Sequence, residues 1–94
     1  MSIKSFRCKK TQALFETGDC DKLFRSFQPA AERALRRLEA ALELMDLRNP
    51  PSNHFEALGG KRKEQFSIRI NSKWRICFAW GESGAENVEI VDYH

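Results

Sequence analysis

Apolar residues recur at three- and four-residue intervals in the middle of the chain, as they do in a helix with one buried face. These apolar positions are Ala31, Ala34, Leu35, Leu38, Ala41, Leu42 and Met45. Pro29 suits the first helical position, and Asn49-Pro50-Pro51 cannot continue a helix. The pattern therefore predicts a helix from Pro29 to about Leu47, with a mixed-charge opposite face typical of a solvated or partner-binding surface rather than a nucleic-acid groove.

A shorter helix is predicted earlier in the chain, from Lys9 to Thr17. Leu14 and Phe15 are its apolar anchors, and Gly18 supplies the C-terminal stop. The following segment, residues 19–27, carries three large apolar residues without a clear period, so it receives no assignment.

Strict alternation of apolar and polar residues predicts strands at both ends of the chain. Residues 3–7 form one short alternating segment, and Phe66–Ile70 and Trp74–Trp80 flank Asn71-Ser72-Lys73 as a hairpin would. A further strand is predicted over Asn87–Tyr93. The sequence thus predicts an α+β fold with an N-terminal strand, two helices and an antiparallel β-meander whose apolar face packs on the helices.

Length and composition fit one small domain over residues 1–94, because 41% of the 94 residues are hydrophobic. Cys8, Cys20 and Cys77 are an odd number at wide spacings without a C-x-x-C pair. The first residues do not resemble a secretory signal, and the apolar runs are too short to span a bilayer. We expect a cytoplasmic protein with no metal, no cofactor and no membrane contact.

The formal net charge of +3 is small, but the positive charge is local. Between positions 61 and 75 the only acid is Glu64, and the basic residues there are Lys61, Arg62, Lys63, Arg69, Lys73 and Arg75. Such a stretch favours an anionic substrate such as RNA, although basic solvated loops are common.

Arg69 and Arg75 are expected on the sheet face without helices, because Ile68 and Ile76 point to the core and side chains alternate across a strand. A guanidinium at such a position seeks a bidentate anion. A salt bridge to Glu86 or Glu89 explains the arginines equally well, so both interpretations stay open.

The chain ends on three chemically versatile residues, Asp92-Tyr93-His94, directly after the last predicted strand. RNA can be cleaved without a metal if the 2′-hydroxyl is deprotonated, the phosphorane charge is stabilised and the leaving oxygen is protonated. His94 suits the acid or base role, and Arg75 with help from Arg69 could stabilise charge. Tyr93 could stack on a base or hold a phosphate, and Asp92 could orient the imidazole. Flanking phosphates would be held by Lys61, Arg62, Lys63 and Lys73.

Two residues before the basic stretch are accessory candidates. No second potential metal ligand lies at a suitable spacing from His54, and the favoured interpretation is an exposed turn residue. Glu56 is a candidate base, but an ordinary surface ion pair explains it equally well.

The assembled order of elements resembles the HigB-type toxins of the RelE/ParE toxin-antitoxin superfamily. The resemblance is carried by Ile3-Lys4-Ser5-Phe6, Leu14-Phe15-Glu16, Leu58-Gly59-Gly60, Trp74-Arg75-Ile76-Cys77-Phe78 and Asp92-Tyr93-His94. It implies a microbial RNase-like fold, ribosome-dependent cleavage of mRNA and neutralisation by a HigA-type helix-turn-helix antitoxin. Operator DNA would be bound only through the complex with that antitoxin.

The resemblance also implies roles for residues at matching positions. Asp92, Tyr93 and His94 correspond to the family's C-terminal catalytic cluster, and Arg75 to its transition-state arginine. Some members carry a catalytic histidine at the position that is Glu56 here, with His54 displaced by two residues. The general base is therefore open.

Two other functions compete with RNA cleavage. A non-catalytic ParE-like toxin would inhibit a target such as DNA gyrase by binding, and would not be expected to need the Asp92-Tyr93-His94 cluster. A purely structural partner protein would not arrest growth when expressed alone.

Overall fold

A four-stranded antiparallel sheet forms the second half of the chain in the computed structural model, which describes residues 2–92. Its strands are β1 (Glu56–Ala57), β2 (Gln65–Arg69), β3 (Trp74–Gly81) and β4 (Gly84–Asp92), and each pairs with the next. Two α-helices, α1 (Lys9–Thr17) and α2 (Gln28–Ala40), precede the sheet in sequence. The predicted α+β class, with helices followed by a β-meander, is confirmed.

One face of the sheet packs on the helices. Ile76 lies opposite Ile68 on one side and Ile90 on the other, and all three belong to one buried cluster with Leu35 and Leu38 of α2. Burying a side chain of this size contributes about 1.5–3 kcal/mol. Since this face is filled by the core, the polar residues that alternate with it along β2 and β3 lie on the other face.

The predicted N-terminal strand runs parallel to β4 but, within residues 2–92, forms only two isolated bridges, from Ile3 to Ala85 and from Phe6 to Val88. The ladder is interrupted between them because Asn87 has a left-handed φ of 54° and donates its backbone N–H to Ser5 Oγ at 2.9 Å. The segment is nevertheless tied to the fold at its start, where Glu39 Oε1 accepts from the backbone of Ile3 at 2.9 Å.

Helix α1 spans the predicted residues and is capped by the following Gly18, whose φ of 75° is left-handed. Helix α2 ends at Ala40, so the predicted end near Leu47 is wrong. The physical reason is Asp46, whose carboxylate accepts from the backbone N–H groups of Leu42 and Glu43 at 2.9 and 3.0 Å. These bonds satisfy the backbone in a non-helical path, and Leu44–Arg48 form a separate 3-10 turn.

The unassigned segment contains a 3-10 helix, Lys22–Phe27, which buries Phe24 and Phe27 against the core. Asp21 caps it by accepting from the backbone N–H of Leu23 at 2.9 Å. Sequence periodicity did not predict it because a 3-10 helix has three residues per turn and is short. No helix within residues 2–92 is long and apolar enough to cross a membrane.

The β2–β3 hairpin agrees with its prediction to within one residue at each end. Asn71 fixes its turn, because its Oδ1 accepts from the backbone N–H groups of Lys73 and Trp74 at 2.9 and 2.8 Å. Strand β1 was not predicted, and its pairing of Glu56 with Ser67 brings Glu56 to the edge of the sheet beside the hairpin.

Candidate active site

Arg69 and Arg75 lie directly opposite each other on β2 and β3, on the sheet face away from the helical core. Two like charges in such a cross-strand pair are unfavourable unless each finds other partners. Arg69 donates from Nε to the carbonyl of Asn71 at 3.0 Å and so points toward the hairpin turn. Arg75 points toward β1 instead, so the two guanidinium groups point in different directions.

Three groups hold the Arg75 guanidinium, and its side chain is only 12% exposed. Its Nε donates to Ser67 Oγ at 2.8 Å, and its Nη2 donates to the carbonyl oxygen of His54. Nη2 also lies 3.3 Å from Glu56 Oε1. Because contacts come from the side and the end of the planar group, its orientation is fixed before any ligand arrives.

The carboxylate partner of Arg75 is therefore Glu56, and neither acid considered from the sequence takes that place. Glu89 instead lies 3.2 Å from Arg62 and 3.8 Å from Arg7. The sequence interpretation that set an anionic ligand against a salt bridge was incomplete, because Arg75 makes an ion pair and still lines an open cavity.

His54 joins the site through both its backbone and its ring. Its φ of 46° is left-handed, which is uncommon for a residue with a side chain, and it ends the Pro51–Asn53 turn. That turn is anchored by buried Asn53, whose Nδ2 donates to the carbonyl oxygens of Leu47 and Asn49 at 3.1 and 3.2 Å. The His54 Nε2 atom lies 3.3 Å from Arg69 Nη1, a geometry in which Nε2 accepts.

These side chains surround a cavity of about 320 Å³ on the open face of the sheet. Its lining residues are His54, Glu56, Arg69, Asn71, Ser72, Lys73 and Arg75. Three cations and one carboxylate converge there, so the cavity can attract an anion and also offers a proton acceptor. Within residues 2–92 no cluster of three His, Cys, Asp or Glu side chains could hold a metal ion.

The structure does not bring Asp92 to the Arg75 side of the sheet. Asp92 pairs with Trp74, whereas Arg75 pairs with Val91, so strand alternation sets Asp92 and Arg75 on opposite faces. Asp92 Oδ2 lies 3.4 Å from Lys73 Nζ, at the end of the hairpin. Tyr93 and His94, the other two members of the predicted cluster, lie outside the described residues.

The three basic residues before β2 lie apart from the cavity. Lys61 and Arg62 belong to the 3-10 turn Gly60–Arg62, and Lys63 follows it. Arg62 is occupied by Glu89, as above, and by Gln65 Oε1 at 3.1 Å. Lys61 and Lys63 are exposed, so they could contact only a ligand that extends over this edge of the sheet.

Sequence reasoning missed Ser67 and Asn71 as parts of the site. Ser67 is completely buried although it lies on the arginine face, because Arg75 covers it. A small hydroxyl residue between Phe66 and Ile68 was the available signal, but alternation alone could not name its partner. On the same face burial raises the pKa of the Cys77 thiol, so that this cysteine stays protonated near neutral pH.

Comparisons with known proteins agree with this architecture. Residues 4–94 match the family described as the RelE-like toxin of the type II toxin-antitoxin system HigB. Toxin HigB-1 of Vibrio cholerae is 44% identical over 62 residues, which cover 66% of this chain and 65% of that protein, slightly less than two thirds of its length. Endoribonuclease HigB of Proteus vulgaris is 29% identical over 92 residues, covering 98% of this chain and 99% of that protein.

A solved structure extends the likeness to the whole fold. A chain of the YoeB-YefM complex from Staphylococcus aureus superposes with a TM-score of 0.63 over 100% of this chain and 97% of that chain. Sequence identity is 14%, so this likeness concerns the fold alone.

Proposed function

Because the chain belongs to the HigB-like family of RelE-like type II toxins, we propose that it is an endoribonuclease that cleaves mRNA on the ribosome and thereby inhibits translation and growth. The observation that carries the proposal is the Arg75–Glu56 pair, whose atoms lie 3.3 Å apart in a cavity lined by two further cations. The endoribonuclease name of the Proteus vulgaris relative supports the same activity.

In the proposed reaction Glu56 takes the proton of the ribose 2′-hydroxyl. The 2′-oxygen attacks the adjacent phosphorus, the bond to the 5′-oxygen of the next nucleotide breaks, and a 2′,3′-cyclic phosphate forms. Arg75 stabilises the charge on the phosphorane oxygens, since a preorganised guanidinium gains most where negative charge develops. Glu56 is 56% exposed on its side chain, so it can reach a bound hydroxyl.

The remaining roles follow the family resemblance. His94 protonates the leaving 5′-oxygen, Tyr93 stacks on a base or holds a phosphate, and Asp92 orients the imidazole, each as proposed from the sequence. Arg69 and Lys73, which line the cavity, hold the phosphates next to the cleaved bond. An RNA strand that continues over the sheet edge would meet the exposed Lys61 and Lys63.

As a type II toxin the protein pairs with an antitoxin, and the antitoxin we propose is a HigA-type helix-turn-helix protein. The toxin would then meet operator DNA only within that complex. Because mRNA on the ribosome is its substrate, the proposed place of action is the cytoplasm.

A translation reaction with purified protein tests the proposal. Wild-type protein is expected to cut a translated mRNA, and the same mRNA without ribosomes is expected to stay intact when fragment ends are mapped. The Arg75→Ala variant should lose cleavage, whereas Arg33→Ala, an exposed arginine on α2, should keep it. Intact mRNA together with loss of DNA gyrase supercoiling activity would instead identify a ParE-like binder.

A further inference from the structure

A second cavity, of about 490 Å³, adjoins the cavity at Arg75 on the side of α2. Its lining residues are Arg37, Ser52, His54, Arg69, Ile70, Asn71 and Ser72. Four of these, His54, Arg69, Asn71 and Ser72, also line the first cavity, so the two cavities lie side by side. The volume lies in the range of about 300–1,000 Å³ that is typical of small-molecule sites.

The charge of this second cavity differs from that of the first. Arg37 and Arg69 are the two charged residues among those lining it, and no carboxylate lines it. Within residues 2–92 neither arginine takes part in an ion pair. Arg37 makes one hydrogen bond, at 3.4 Å, from Nη1 to Asn53 Oδ1. Both guanidinium groups therefore keep donors for an anion.

The uncharged part of the lining suits the rest of a nucleotide. Ser52 and Ser72 are exposed and offer hydroxyl groups, and the Asn71 side-chain nitrogen retains its donors because only Oδ1 is used in the turn. Ile70 adds an apolar surface. The lining of the second cavity therefore contains groups that can bind a phosphate, a ribose and a base edge.

We propose that this cavity is a subsite for the ribonucleotide next to the cleaved phosphodiester, with Arg37 and Arg69 holding its phosphate. The inference rests on the proposed function, because the cleaved bond defines which nucleotide is the neighbour. It assigns Arg37, on the helix face interpreted from the sequence as solvated or partner-binding, to RNA binding.

Binding of a fully 2′-O-methylated RNA tests the subsite, since this RNA cannot be cleaved. Arg37→Gln should weaken its affinity about tenfold, as expected when a charged hydrogen bond is lost, and should reduce the salt dependence by about one phosphate contact. Arg36→Gln is the matched control, because Arg36 is the next residue on α2 and lines a different groove beside Leu14 and Phe15. Its affinity should stay within about twofold of wild type.

A second variant keeps the test decisive if the loss of the Arg37–Asn53 contact unfolds the protein. Ser52→Trp fills the cavity from an exposed turn position and should weaken binding to a similar extent. If the folded variants at positions 37 and 52 bind as tightly as Arg36→Gln, the subsite is overturned, even if wild-type protein cleaves RNA. If wild-type protein fails to cleave mRNA on the ribosome but Arg37→Gln binds more weakly than Arg36→Gln, the proposed function fails and the subsite stands as an RNA-binding site.

Discussion

The Arg75 guanidinium on β3 lies 3.3 Å from the Glu56 carboxylate on β1, and Ser67 of the intervening strand also holds the arginine. Half-exposed ion pairs of this kind contribute only about 0–1 kcal/mol to folding. The pair therefore matters for the position of its two groups rather than for the stability of the fold. It sets a proton acceptor beside the cation that would stabilise a phosphorane, within a cavity that attracts phosphate.

Replacing Glu56 with glutamine keeps the shape of the side chain and removes the proton acceptor. We expect the rate of mRNA cleavage on the ribosome at saturating enzyme to fall about 100-fold or more, the range in which general bases contribute. RNA affinity should stay equal or increase, because a carboxylate that repels phosphate is gone. Single-turnover cleavage and equilibrium binding measure the two effects separately.

Glu82→Gln is the matched control for this variant, since Glu82 is an exposed residue in the β3–β4 turn. It should cleave at the wild-type rate. Equal rates for Glu56→Gln and Glu82→Gln would remove Glu56 from the mechanism and leave the base to another residue.

Gly84 is the glycine on which the docking of the N-terminal segment depends. Its φ is 135°, and a Cβ there would clash with the carbonyl oxygen of Ser2. Gly84→Ala should therefore lower the free energy of unfolding by more than about 1 kcal/mol. Gly59→Ala, whose added Cβ would have no atom within 4 Å apart from those of Gly59 and its two chain neighbours, should change it by less than about 0.5 kcal/mol in the same urea titration. Equal effects would contradict the close approach.

Because α2 ends at Ala40 and not near Leu47, two leucines of the predicted helix differ sharply in burial. Leu38 is completely buried, whereas Leu42 is 87% exposed although both fit the same helical period. Leu38→Ala should cost about 2–5 kcal/mol of unfolding free energy, and Leu42→Ala less than about 0.5 kcal/mol. A large loss of unfolding free energy for Leu42→Ala, measured by chemical denaturation, would support the longer helix predicted from the sequence.

Burial raises the pKa of the Cys77 thiol above its ordinary value of 9.0. The unfolded thiol loses its proton near that pH and the folded thiol only at higher pH, so the folded state binds more protons above pH 9.0. The free energy of unfolding should therefore fall as pH rises beyond this value. The fall should be smaller in Cys77→Ala, as measured by urea unfolding at several alkaline pH values.

Cys8→Ala is the control, because it leaves Cys77 in place and should keep the wild-type dependence on pH. If Cys77→Ala loses stability with pH as steeply as wild type, the thiol is not responsible for the slope.

The elements predicted correctly are those in which burial of one face imposes a regular spacing of apolar residues. The β2–β3 hairpin and α1 agree closely because alternation and a glycine stop are local signals. The end of α2 was wrong because side-chain capping by Asp46 competes with a continuing apolar period. The spacing of apolar residues does not reveal such capping by a polar side chain.

The site was predicted in part for the same reason. Alternation correctly set Arg69 and Arg75 on the open face, but it could not identify Glu56 as the partner of Arg75. That contact depends on the two-residue strand β1 and on the left-handed backbone of His54, which together fold a distant loop against the hairpin. The roles of Tyr93 and His94 stay predictions.

Single-turnover cleavage of mRNA on the ribosome by wild-type protein and Arg75→Ala, with chemical identification of the new ends, tests the central claim most directly. Arg75→Lys, which keeps the charge without the planar fork, serves as a second comparison. We expect wild-type protein to produce 2′,3′-cyclic phosphate and 5′-hydroxyl ends, and Arg75→Ala, folded by circular dichroism, to be slower by about 100-fold or more. Wild-type fragments with 5′-phosphate ends, or an Arg75→Ala rate within a few-fold of wild type, would contradict the account.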